Sequence, residues 1–222
     1  MVFSDNFTKA LQTFMTAYGM KESDTNGRAI SAYGNALPMY TYPCTEYLMS
    51  IDWVGADVFE YGGGNSTDFW LDQGCNVTVV EHNKEWAEKI NDKANVIFED
   101  DMEKFVNTPL DQGKKFDVIV IDGGAGLGAR FDCVEPSLHM IKRKGMIILD
   151  SSEWHINTAR ELNKQHQFIP VNFNGFMPLL NTTTSTTCYI SREFYRETKK
   201  IDPIGGTIVD FEPSLVDKSM KG

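Results

Sequence analysis

Residues 57–83 read DVFEYGGGNSTDFWLDQGCNVTVVEHN, and their layout decides the fold. Val58, Phe59, Glu60 and Tyr61 form a short β-prone run that stops at three consecutive glycines, Gly62, Gly63 and Gly64. Without a Cβ a chain can turn tightly here and still lie against a ligand. Asn65 or Ser66 can cap the helix that follows, and Asp68 falls in its first turn, where the positive end of the helix dipole favours an acid. A second apolar run, Val77 to Val80, ends at Glu81, 21 residues after Glu60. Strand, glycine turn, helix and a second strand ending in an acid make a nucleoside-binding βαβ unit, the second acid placed to take both ribose hydroxyls.

The run Glu60-Tyr61-Gly62-Gly63-Gly64-Asn65-Ser66 resembles the first motif of the class I S-adenosylmethionine (SAM) dependent methyltransferases, an acid followed by G-x-G, and Glu81 falls at that family's ribose-binding acid. The rival is an NAD-binding unit. That motif needs a third glycine where this chain has Thr67, and Asp68 would set a like charge against a pyrophosphate. SAM carries no phosphate. The resemblance implies a Rossmann-like α/β fold with a seven-stranded, mostly parallel sheet, a C-terminal antiparallel hairpin and helices on both faces. It implies SAM as cofactor, held by Glu60, Tyr61, Gly62, Gly63, Gly64, Ser66, Glu81, His82, Asp101, Met102 and Asp122. Asp101 matches the acid that accepts the adenine amino group, with Asp100 as the fallback; the plainer reading is that these acids start the next helix.

Downstream the alternation continues. A helical pattern spans residues 84–93, Asn95 to Phe98 is a third strand, and Phe116 to Ile121 is a continuous apolar run suited to a central parallel strand covered on both faces. That strand ends at Asp122 and a glycine-rich loop, Gly123 to Gly128, which should face the ligand, since open α/β sheets bind beyond the carboxyl ends of their strands. A helix is expected from Ala129 to Ile141 with Pro136 inside it, and Lys142-Arg143-Lys144 as its basic last turn. Met146 to Leu149 is a fifth strand ending at Asp150, followed by Ser151, Ser152, Glu153, Trp154 and His155 and a helix to Lys164. Residues 167–173 and 186–190 read as the closing hairpin, and from Tyr195 the chain reads as a loose extension or an arm onto a partner.

Upstream, Phe7, Leu11, Met15 and Tyr18 recur at helical spacing and predict an amphipathic helix over residues 4–18. Residues 21–35 read as a polar loop, and a helix is expected over 45–51. The segment resembles the N-terminal piece that many methyltransferases fold over the SAM pocket. The expected division is 1–54 as helical cap, 55–194 as SAM-binding domain and 195–222 as its extension.

The length of 222 residues suits one domain, and 41% hydrophobic with 23% charged residues is ordinary for a globular chain. A net charge of −10 disfavours a grip on a phosphate backbone. Cys44, Cys75, Cys133 and Cys188 show no C-x-x-C pair, so neither zinc nor a disulfide framework is expected. No apolar run approaches membrane-spanning length and no signal pattern opens the chain, so a cytoplasmic protein is expected. The expected partners are a small-molecule acceptor and no nucleic acid or membrane, with a homodimer allowed.

Methyl transfer from a sulfonium is an in-line displacement dominated by positioning, and a hydroxyl acceptor also needs a base. Asp122, Asp150 and His155 are the candidate catalytic residues. The catechol-type O-methyltransferases hold a divalent cation with an Asp after the fourth strand and an Asp-Asn pair after the fifth. Asp122 and Asp150 match two of these, but Ser151 replaces the Asn, so no metal is expected. Arg130 reads as a surface partner of Asp132. The function these residues predict is methyl transfer from SAM to a hydroxyl of a small molecule or sugar. The alternatives are an NAD(P)-linked oxidoreductase and a non-catalytic binding module.

Overall fold

A computed structural model describes residues 5–90, 92–124 and 128–201. Seven strands form one sheet: β1 (Asp57–Tyr61), β2 (Asn76–Glu81), β3 (Asn95–Phe98), β4 (Phe116–Ile121), β5 (Ile141–Leu149), β6 (Phe168–Phe176) and β7 (Thr183–Ser191). Their order is β3-β2-β1-β4-β5-β7-β6, parallel from β3 to β5, with β7 antiparallel to both β5 and β6. The order reverses between β1 and β4, so their carboxyl ends open a crevice there.

Successive side chains of a strand point to opposite faces, and both faces here are covered, so each central strand is apolar throughout. Val58, Val77, Val79, Val118, Val120, Met146 and Ile148 form one face's core. Over it lie α3 (Tyr42–Met49) and α4 (Asn65–Asp72), with Trp53 and Trp70 meeting edge to face at 5.4 Å. Phe59, Tyr61, Ile119, Ile121, Ile147 and Leu149 form the other face, with Phe105 of α6 (Met102–Asn107), Val134 of α8 (Val134–Met140) and Leu162 of α9 (Ile156–Asn163). The same alternation that buries Phe59 and Tyr61 on one side puts Glu60 on the other, in register with Val79 and Val120. A carboxylate thus occupies a row of valines.

Charge is concentrated at the amino ends of the strands. Lys142 Nζ donates to Asp57 (3.1 Å) and Asp117 (2.8 Å), Lys114 donates to Asp57 (2.8 Å), and Arg196 reaches Asp117 at 3.1 Å while lying 5.1 Å over the Trp53 ring. These cations hold both aspartates below the usual carboxylate range against the opposing effect of burial.

Several expectations change here. Lys142, Arg143 and Lys144 begin β5 and are not the end of a helix; the anions across the sheet take Lys142. The expected helix over 129–141 breaks at Cys133 into α7 (Ala129–Asp132) and α8, with Pro136 early in α8, where a missing N–H costs little. Residues 21–35 are not a loop: α2 (Met20–Asn26) lies between Gly19 and Gly27, and the buried Ser23 hydroxyl holds both N–H and C=O of Ile30. The first helix, α1 (Asp5–Ala17), packs through Phe14, with Tyr18 just beyond its end, against Tyr42; Phe7, Leu11 and Met15 are 49%, 46% and 43% exposed. The chain after Tyr195 is not loose at first, because Asp52 N donates to Glu197 O and Lys199 N to Ser50 O. Ser4, the loop centre with Gly126 and Leu127, and the tail with Pro203, Gly205, Gly206 and Pro213 lie outside the described residues.

Candidate functional site

At the crevice β1 ends in the glycine turn. Gly62 has φ +83°, a conformation in which a side chain is strained, and Gly62 N donates to Val80 O at 2.8 Å. The backbones of Gly62 and Gly123 touch: a Cβ on Gly123 would stand 2.5 Å from Gly62 Cα, and one on Gly62 would stand 2.7 Å from Gly123 Cα. This contact holds the ends of β1 and β4 together. Gly64 is extended, with nothing nearer to its missing Cβ than Trp86 Nε1 at 3.5 Å.

Thr67 stands where a dinucleotide motif has its third glycine, and it does work there as a side chain. Its hydroxyl accepts from Gly64 N (3.0 Å) and donates to Glu60 Oε2 (2.7 Å), which ties the turn to the strand beneath. Glu60 is fully buried and its Oε1 has no partner. Burial raises its pKa to about 7, with the charges of Asp122 and Asp68 adding to it and hydrogen bonds from Thr67 and Ser66 opposing it. The folded state therefore holds a proton that the unfolded chain releases nearer pH 4.5. A group with a raised folded pKa stabilises fully below its unfolded value, and that stability is lost as pH rises through the folded one. Glu60→Gln is expected to be more stable than wild type at pH 8 by about 3 kcal/mol, with the gap closing towards pH 4.5. Chemical denaturation of both proteins across that range measures the gap.

Glu81 closes β2 on the other side of the turn. Its carboxylate accepts from Gly63 N (2.9 Å) and Asn83 N (2.8 Å), and is nearly buried. His82 Nδ1 lies 3.2 Å from Glu81 Oε1 but makes no hydrogen bond. A carboxylate has about four acceptor positions, so capacity remains for a ligand. The Trp86 indole, on α5 (Lys84–Ile90), donates to Gly63 O and walls the turn.

Between these elements lies a cavity of about 440 Å³. Gly62, Gly63, Gly64, Ser66, Glu81, His82 and Asp122 line it together, joined by Met39, Asn65, Asn83, Trp86, Gly123 and Gly124. The size falls within the range of small-molecule sites. Met39 comes from the segment leading into α3, which brings the N-terminal piece to the edge of the cavity.

Asp122 is held by Arg130, whose Nη2 donates to Asp122 Oδ1 (2.8 Å) and Asp122 O (2.6 Å) while Nη1 donates to Asp150 O (2.6 Å). The expected Arg130–Asp132 surface pair is replaced by this clamp across the ends of β4 and β5. Sequence spacing shows only that Arg130 follows the loop; that α7 sets it against the ends of β4 and β5 is a tertiary feature. Burial and the charge of Asp150 push the Asp122 pKa up to about 7, with Arg130 pulling the other way. Asp150 is buried and raised by burial, and accepts from Thr186 (2.7 Å) and Ser151 (2.9 Å), with Ser151 at φ +51°. It does not line the cavity.

The remaining expected site residues lie elsewhere. The Tyr61 side chain points into the second core and its hydroxyl donates to Val106 O (2.9 Å), so only its backbone is at the turn. Asp101 caps α6, accepting from Glu103 N (3.0 Å) and Lys104 N (3.2 Å), and Met102 packs on the second core. Neither lines the cavity, though His82 meets Phe105 of the same helix at 6.0 Å. His155 precedes α9 and lines a separate groove. Trp86 and Asn83 are the site residues that sequence reasoning missed; an aromatic one turn after the β2 acid was the available signal.

No protein-family model matches the chain, and no curated protein matches it in sequence. Among solved structures, an O-methyltransferase from Bacillus cereus in complex with SAH (S-adenosylhomocysteine) aligns with a TM-score of 0.53 and 14% identity, over 80% of this chain and 90% of that one. An rRNA methylase from Streptococcus thermophilus aligns with a TM-score of 0.50 and 10% identity, over 70% of this chain and all of the other. At such identities the likeness is one of fold. No described helix is long and apolar enough to cross a membrane.

Proposed function

We propose that this chain, which has the Rossmann-like fold of the class I SAM-dependent methyltransferases, binds SAM at the glycine turn and transfers its methyl group to a hydroxyl of a small molecule or sugar. The observation that carries the reading is one cavity lined at once by Gly62–Gly64, Glu81 and Asp122. The residues fit the cofactor. Glu81 would accept from the ribose hydroxyls with its remaining lone pairs, and the bare glycines let the ligand lie against the backbone. Asn65 and Ser66, at the start of α4, would face its carboxylate. Glu60, expected to touch the cofactor, is fully buried beneath the turn and does not line the cavity. With its Oε1 unpartnered it would act on an ammonium group through its charge alone, which would lower the Glu60 pKa. Asp101 and Met102, at the start of α6 beyond His82, are the candidates for the adenine end.

The cofactor supplies an electrophilic methyl on sulfur; the protein supplies position and a base. Asp122 is that base. Titrating near neutral pH, it is substantially ionised at pH 7.5 and can take the acceptor's proton. Arg130 fixes its direction, and Asp150 acts through its charge on Asp122. His155 serves the acceptor side. Isothermal titration tests the reading: SAM and SAH should each bind one site per chain, and NAD should give no heat. Heat from NAD alone would favour the oxidoreductase, and heat from none of the three a binding module.

A further inference from the structure

We propose that the groove between α7 and the Trp154–Lys164 segment recognises the acceptor, and that it takes an uncharged ligand with a flat aromatic ring and a hydroxyl at the ring's edge. The inference rests on the methyltransferase reading and gives it a substrate class. The groove holds about 960 Å³, at the upper end of the small-molecule range. Phe131, Trp154 and Ile156 line it and are 43%, 82% and 53% exposed. Two aromatic faces and a branched aliphatic chain left in water around one concavity suit a flat apolar ring.

The charges around the groove select a neutral ligand. Asp132 and Glu161 oppose Arg160 and Lys164, and Lys164 already donates to Glu161 at 2.6 Å. Burial and the nearby Arg130 lower the His155 pKa and outweigh Glu153, which favours its neutral form. No net charge is left to attract an anion or a cation. The groove adjoins the cavity through α7: Gly124, which lines the cavity, packs against Ala129, and Phe131 of the same helix lines the groove. Phe131 follows Arg130 on α7, and Arg130 holds the Asp122 carboxylate at 2.8 Å. In the proposed mode the ring stacks on Phe131 and its hydroxyl is directed at Asp122.

Naphthol, titrated into the full chain with and without SAH, tests the proposal through calorimetry and tryptophan fluorescence. Trp154 is the most exposed tryptophan and should report the binding. Trp154→Ala should weaken naphthol binding about tenfold or more and leave SAH affinity and the melting temperature unchanged. Equal naphthol affinity in wild type and variant would overturn the proposal. So would tighter binding of naphthoate, the same ring with a carboxylate, or a wild-type dimer that Trp154→Ala dissociates, since the groove would then be a contact between copies. Loss of SAH binding alone, with naphthol binding intact and sensitive to Trp154→Ala, would count against the cofactor reading and leave the groove assignment standing.

Discussion

A Glu81→Ala variant is expected to bind SAH about a hundredfold more weakly than wild type, or not measurably, while remaining folded. Hydrogen bonds to a charged acceptor contribute about 1.5–3 kcal/mol each, and two ribose hydroxyls would use Glu81. Each 1.4 kcal/mol is tenfold in affinity, so losing both amounts to about two decades or more. The variant also leaves Gly63 N and Asn83 N without their acceptor. That costs about 1–3 kcal/mol of stability for each amide that water does not reach, against a usual margin of roughly 5–15 kcal/mol for a domain. Calorimetry with SAH, beside a thermal melt of the same sample, separates the two effects. Wild-type affinity in a folded Glu81→Ala protein would remove the ribose assignment.

The second large effect is structural. Gly123→Ala should destabilise the protein by about 2–4 kcal/mol and lower its melting temperature by about 10 °C. The new Cβ would stand 2.5 Å from both Gly62 Cα and Gly62 N and 2.6 Å from Tyr61 O, all backbone atoms that cannot rotate away. The ends of β1 and β4 would have to part, and the cavity between them would deform. Gly64→Ala is the contrasting case. Its Cβ would meet nothing nearer than 3.5 Å, and its φ of 171° is extended, so stability should hardly change. The methyl group would still narrow the cavity that Gly64 lines, and SAH binding should fall. Equal stability of Gly123→Ala and wild type would show that the backbone contact does not hold the site together.

The βαβ unit is legible because its signals are local: a β-prone run, a run of glycines at a tight turn, and an acid at the end of the next strand. Strands covered on both faces are apolar throughout, so β4 was plain from composition. What escaped the sequence was set by partners distant along the chain. Lys142 belongs to a strand because Asp57 and Asp117 await it across the sheet. Sequence proximity pairs Arg130 with Asp132, whereas the fold brings the ends of β4 and β5 within its reach. Tyr61 lies in the motif, yet strand alternation sends its ring to the opposite face from Glu60. The α1 stripe was read correctly as helical but one residue off in facing, because Tyr42 and Phe176 draw in Phe14. At the site the same division holds. The turn and Glu81 are marked by residue type and spacing, whereas Asp150 is buried beside Asp122 without lining the cavity and His155 lines the other groove, placements that only the fold reveals.

The central claim is that the glycine turn between Glu60 and Glu81 cradles an adenosyl group. A crystal structure of the full chain with SAH tests it most directly. The account predicts both ribose hydroxyls within hydrogen-bonding distance of Glu81 and the homocysteine sulfur on the Asp122 side of the turn. SAH bound elsewhere, or bound at the turn with neither ribose hydroxyl near Glu81, would contradict it.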